Sequence, residues 1–438
     1  MNGAYLLLCT VLLAVVVLGC TLSLLPSRCP VAAEAFEDSS TSQQPAFRSE
    51  PAYQAQVKLL TDRFEPYSTG KRTVEDLLEK EAKVPEAERI LLNFHALACR
   101  FPGFLGPLPA GYLDPDIGIL TAVKAGCRTF VLDIDYIKEC AKGTLGYFPR
   151  LVVRDRQDKL AINVATQEPL CQTPQTFELR SICQKIHDYA FSSASPQSSD
   201  PLLIVLYFHR RPPGSYKSKA VLDYYSHVAK ALAPFQNRLL TNELEGGKFY
   251  RHQQEGKLLM NKITNYNGKV LIFNNANTSG FTESGAYTAM EDLDFLTNLR
   301  LYSTQTKLGT TEQATGSSFG VLQAMEDFLT VPEDRRDQVQ GETTTKWSMA
   351  LPKDPMAVPT KEEYDTLTAT MGVQCVPTLL FLPDKDAPTY LFQDTTFKTH
   401  GFRYKREALR HRKPPVVAPG EPNPGMNARQ GRVMAPTI

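Results

Sequence analysis

The sequence predicts an α/β fold built on a parallel sheet, and two observations carry that reading. Short, strongly apolar runs recur along the chain at Ile90–Phe94, Thr129–Leu132, Leu151–Val153, Leu202–Leu206, Val270–Phe273, Leu299–Tyr302, Trp347–Ala350 and Pro377–Leu382. Runs without polar alternation suit strands buried on both faces. Helix-like stretches such as Ser181–Ala190 and Val221–Leu232 lie between them, which is the spacing of parallel βα units. Eight such runs suggest a (β/α)8 TIM-type barrel. A doubly wound open sheet produces the same periodicity, so the pattern leaves both architectures open.

Taken from the N-terminus, the first element is apolar. Ala4 to Leu25 carries no charge, and as a helix it would extend roughly 33 Å at about 1.5 Å per residue, enough to cross a bilayer core. We read 1–27 as an N-terminal transmembrane helix with a single-pass membrane location. A cleaved signal peptide is the alternative, but such peptides begin with a basic residue and here no Lys or Arg precedes Arg28. The side of the membrane is not fixed by one flanking cation. Residues 28–57, with many Ser, Pro, Ala and Gln, are expected to form a flexible stalk, and 58–89 a set of helices opened by the capping box Thr73-Val74-Glu75-Asp76. The repeating βα region spans 90–413. The Pro-rich tail 414–438 has few apolar residues and is expected to be disordered.

Charge narrows the partners. With 48 Lys plus Arg against 47 Asp plus Glu, the chain has no global field that would draw nucleic acid, and none is expected as a partner. The nine cysteines show no paired metal-ligand spacing, so buried thiols are the expectation. No phosphate-cradling glycine loop and no helical His pair for zinc is present.

Several segments together carry a resemblance. Gly126-Cys127-Arg128 runs into Thr129-Phe130-Val131-Leu132-Asp133-Ile134-Asp135; Ile186-His187-Asp188-Tyr189-Ala190-Phe191 precedes Asp200-Pro201-Leu202; Asn267-Gly268-Lys269-Val270-Leu271-Ile272 follows; then come Gly372-Val373-Gln374-Cys375-Val376 and His400-Gly401-Phe402-Arg403-Tyr404. In that order they resemble phosphoinositide-specific phospholipase C, a calcium-dependent phosphodiesterase. The resemblance covers about 90–413 and implies a closed β/α barrel with its chemistry at the C-terminal mouth of the strands.

The family's reactive positions are then matched one by one. Its first catalytic His corresponds to His95, but the following calcium-ligating Asn is Ala96. Its Glu-Leu-Asp on the second strand becomes Val131-Leu132-Asp133, leaving Asp133, with Asp135 on the same strand face, as the candidate metal ligands. Its second catalytic His is replaced by Arg154, a permanent cation able to hold phosphate but not to transfer a proton. Its second acidic ligand becomes Tyr207, followed by His209. The candidate catalytic set is therefore His95, Asp133, Arg154 and His209. Calcium requires six to eight oxygen ligands, so no cofactor is expected and calcium binding is doubtful. The resulting expectation is a membrane-anchored, phospholipase C-like barrel, catalytically impaired and acting as a binding or structural module for a phosphodiester or phospholipid. The alternative is an active phosphodiesterase of metal-independent or altered mechanism.

Overall fold

A computed structural model of the chain describes residues 46–412, except 82, 107–109, 142–143, 155–158, 164–178, 241–251, 304–318, 382–387 and 393–396. Its central elements are α1 (Pro51–Phe64), β1 (Phe94–Ala96), β2 (Ala98–Arg100), α2 (Pro115–Lys124), β3 (Thr129–Ala141), β4 (Thr144–Leu151), α3 (Leu179–Ala190), β5 (Leu202–Phe208), α4 (Lys219–Ala231), β6 (Val270–Asn274), β7 (Leu299–Arg300), β8 (Tyr302–Ser303), β9 (Gly320–Ala324), β10 (Trp347–Leu351) and β11 (Phe402–Tyr404).

The apolar runs form parallel ladders, as runs buried on both faces should. One ladder has the order β7-β6-β5-β3-β2, all parallel, with β4 folded back antiparallel on β3. A second has the order β8-β9-β10, also parallel. Alternation along each strand divides the interior in two. Leu203, Val205 and Tyr207 join Val131, Phe273, Leu299, Trp347, Met349 and Leu351 in one cluster. Leu202, Ile204, Leu206 and Phe208 join Ile119, Ile182, Ile186, Val221, Tyr225 and Val228 of α2, α3 and α4 in the other. Each large apolar side chain buried this way contributes about 1.5–3 kcal/mol relative to exposure. The turn from α2 into β3 needs Gly126, whose φ of 101° lies in the left-handed region that ends helices.

The parallel α/β architecture holds, and no single continuous ladder runs round the described residues. Two breaks have local causes. Leu301 separates β7 from β8. In 373–378 only isolated bridges form, because the backbone N–H groups of both Gln374 and Cys375 donate to the Ser348 carbonyl and Pro377 has no N–H to donate. Two strand placements also change. Leu151–Val153 lies at the end of the antiparallel β4 arm rather than in a parallel strand, and the parallel strand β9 replaces it, its inner residues alternating in burial. The first strand begins at Phe94, after a 3-10 turn over Leu91–Asn93.

Within the segment 28–57 read as a stalk, the described residues begin at Ala46. Chain from Ala46 onward is helical, and α1 is fixed by Arg48 and Tyr53, which both hydrogen-bond the buried Asp114 that caps α2. The membrane location is also corrected: no helix among the described residues is long and apolar enough to cross a bilayer. The segment 4–25, like the tail from 413, lies outside the described residues.

Candidate functional site at the strand mouth

The site follows from how β3 leaves the sheet. Thr129 to Ile134 pairs with β5, and from Ile134 onward the strand pairs with β4 instead. Asp133 and Asp135 therefore project from one strand face at the point where the parallel ladder ends. Beside them the ladder ends at Arg100 of β2, and the chain continues past β5 through His209, whose backbone N–H donates to Ile134. Reactive groups in β/α folds gather at this C-terminal end of the strands.

Asp133 is 1% exposed and its carboxylate accepts from three nitrogens of two partners. Arg100 donates from Nε at 3.1 Å and from Nη2 at 2.7 Å, and His209 donates from Nε2 at 2.8 Å. Arg100 is itself buried between the rings of Phe101 and Tyr207, with centroid distances of 4.7 and 5.7 Å. Phe101 carries a φ of 48°, a left-handed backbone that a bulky residue adopts only under constraint. Tyr207 meets the His209 ring edge-on at 4.8 Å. Asp135 forms a second cluster: Arg154 donates through Nη2, Arg210 through Nε at 3.1 Å, and the Tyr136 backbone N–H at 2.8 Å.

Burial alone would push both carboxyls up, yet both lie below the usual carboxylate range. For Asp133 the Arg100 charge and the His209 hydrogen bond outweigh burial. For Asp135 the Arg210 hydrogen bond, the Tyr136 N–H and the Arg154 charge do so. Both stay ionised at neutral pH, inside fixed cages of donors.

Of the four candidate catalytic residues, three meet here: Asp133, Arg154 and His209. His95 does not. It sits seven strand positions before the level of Asp133, an offset of about 23 Å along the strand direction at about 3.3 Å per residue. Its Nδ1 donates to the Val373 carbonyl at 2.8 Å, and burial, with Lys405 nearby, lowers its pKa to about 3. Arg100 and Arg210 were missed by the sequence reading. The available signal was a charged residue at a strand's C-terminal end, obscured at Arg100 because the first strand was placed four residues early.

Asp133 and Asp135 do not fit calcium. Each carboxylate already faces guanidinium, His209 spends its Nε2 on Asp133, and no group of three or more His, Cys, Asp or Glu arranged to hold a metal ion occurs among the described residues. A hard dication needs oxygen ligands that these pairs have committed elsewhere.

No family model matches the sequence, and no curated protein does. The chain is similar to solved phosphoinositide-specific phospholipase C structures. PLC21 of L. pealei matches at 13% identity and a TM-score of 0.46, over 74% of this chain and 38% of that one. PLC21 of S. officinalis matches at 15% and 0.46, over 81% and 44%. The calcium-dependent phosphoinositol-specific phospholipase C of a Gram-negative Pseudomonas sp. matches at 10% and 0.41, over 73% and 98%. The chain thus spans less than half the length of either PLC21. Likeness at this level assigns no activity, and the roles below rest on this chain's own residues.

Proposed function

We propose that this chain is a phospholipase C-like β/α barrel with impaired phosphodiesterase chemistry, acting as a binding module for an anionic phosphodiester or phospholipid headgroup. Barrel closure is supported by the parallel bridges Met349–Cys375, Ala96–Cys375 and Cys99–Thr378, which link β10 to the first strand through 373–378.

The observation that carries impairment is that both mouth carboxylates are bound by arginines. A metal acting on a phosphoryl oxygen supplies several kcal/mol of transition-state stabilisation, and Arg100 takes up the carboxylate that would hold one. In-line displacement also uses a base and an acid, and at the mouth His209 is an imidazole while the position of the second histidine of the phospholipase C pattern holds Arg154, which does not transfer a proton. Binding is supported by Arg210, whose side chain is 47% exposed and shares Asp135 with Arg154. Its guanidinium reaches solvent, a suitable anchor for an anionic oxygen.

Calorimetric titration of the full chain with glycerophosphoinositol tests this reading. Saturable binding that weakens about tenfold in Arg210→Gln is expected, and no heat at millimolar diester would overturn it. The active, metal-independent reading has one observation in its favour, the hydrogen bond between His209 and Asp133. It lacks a second proton carrier, because His95 is at the other end of the strands.

A further inference from the structure

We propose that the segment Ala46–Phe64 is a strap that holds the strand mouth shut through Asp114 and Tyr112, and that its release opens the Arg100–Asp133 pair to solvent. Both members of that pair are buried although they stand where the parallel ladder ends. The Phe101 ring lies 4.7 Å from the Arg100 guanidinium. It belongs to a small apolar plug with Phe104, Leu113, Val153, Met356 and Leu379, contributed by segments that follow different strands. The plug is a cluster of its own, apart from the two that fill the interior. A satellite cluster of this size can open without dissolving the main core.

The strap grips the loop that carries the plug. Arg48 donates from Nε and Nη2 to the two oxygens of Asp114, each at 2.7 Å, and the Tyr53 hydroxyl donates to the same carboxylate at 2.5 Å. Asp114 is fully buried, caps α2, and donates its backbone N–H to the Gly103 carbonyl at 2.7 Å. Phe104 and Leu105 pair antiparallel with Leu113 and Tyr112. Tyr112 in turn meets Phe47 and Tyr53 of the strap, with ring centroids 5.6 and 5.2 Å away. The loop has no slack, since a Cβ on Gly103 would lie 2.8 Å from Pro115 Cα. The left-handed backbone of Phe101 is held by this constraint and relaxes when it is removed. Beyond its clasp the strap is lightly attached. α1 buries Tyr53, Gln56, Leu60 and Phe64 along one face, and Gln56 Nε2 is buried there without a hydrogen-bond partner, which weakens the hold.

Phenylglyoxal labelling of the full chain, read by peptide mass spectrometry beside amide hydrogen exchange, tests the strap without any ligand. A failed headgroup titration would therefore leave this inference standing. In the wild type Arg100 should react slowly and the half-exposed Arg210 quickly. Arg48→Gln should speed both Arg100 labelling and exchange of the Phe104 and Asp114 amides by about tenfold, as expected for loss of a charged hydrogen-bond donor. Arg210 labelling and the β5 amides should not change. Asp114→Asn, which keeps an oxygen to cap α2, should act in the same way. Unchanged Arg100 labelling would overturn the proposal, and so would equal acceleration of the β5 amides, the mark of general destabilisation. If neither variant folds, the wild type decides. Its Phe104 and Asp114 amides should exchange with a weaker urea dependence than those of β5, and an equal dependence would overturn the strap.

Discussion

The two ends of the strands treat buried ions in opposite ways. At the mouth, Asp133 and Asp135 are surrounded by arginines and held below the ordinary carboxylate range. At the base, charge is discharged by burial. Lys405 donates to a single carbonyl, that of Thr343 at 2.9 Å, and its pKa falls to about 7. His95 faces Lys405, Arg403 and Arg406 and falls to about 3. Asp200 accepts the Val74 N–H at 2.8 Å, its other oxygen lacks a hydrogen bond, and its pKa rises to about 6 despite the nearby Arg128 charge. The difference teaches what preserves an ion inside a fold: a matched counter-ion with directed hydrogen bonds, rather than polar neighbours in general.

The comparison breaks most severely if a mouth pair is split. Arg100→Met leaves Asp133 buried with only His209, and we expect a loss of about 3–5 kcal/mol in urea denaturation. The double variant Arg100→Met with Asp133→Leu should recover much of it, since paired removal leaves no orphaned charge. A loss below about 1 kcal/mol in the single variant would mean the pair is not structural.

The base predicts a pH dependence of opposite origin. Lys405 has a folded pKa of about 7 against an ordinary 10.5, so the unfolded chain holds a proton that the native state sheds. Its contribution is fully present above about 10.5 and is lost as pH falls towards 7, a few kcal/mol at about 1.4 kcal/mol per unit. Stability curves across that window should flatten in Lys405→Met. His95 adds a second decline between 6.5 and about 3 by the same sign, which His95→Gln should remove.

Asp200 has the reverse sign. Its folded pKa is raised from 3.8 to about 6, so its favourable contribution is present below 3.8 and lost as pH rises through 6. Asp200→Asn should therefore stabilise the protein at neutral pH by up to about 2 kcal/mol, measured by denaturation midpoint. The smallest effect belongs to Arg210→Ala: a half-exposed ion pair is worth under about 1 kcal/mol, and Arg154 remains on Asp135.

The sequence conveyed the parallel α/β class well because runs such as Leu202–Phe208 are apolar throughout, and nothing but a two-sided core explains that. It misplaced the first strand because Arg100 and the Ala-rich stretch before it look less apolar than Leu91–Leu92, which form a 3-10 turn. It missed β9 because Gly320–Ala324 is short and its apolar run is broken by Gly320 and Gln323. Asp133, Arg154 and His209 were legible from their positions at strand ends. Their mutual pairing was not, since it depends on β3 crossing from β5 to β4, which brings residues 100, 133, 135, 154, 209 and 210 together. The misassignment of His95 has the same cause: a four-residue shift in strand placement moved it from the base to the expected mouth.

The proposed impairment rests on the arginines that hold Asp133 and Asp135. Phosphorus NMR of the full chain with phosphatidylinositol vesicles, in calcium and then in chelator, tests it most directly. The account predicts no calcium-dependent appearance of phosphoinositol, with the intact diester signal unchanged. Calcium-dependent turnover that disappears in Asp133→Asn would contradict it.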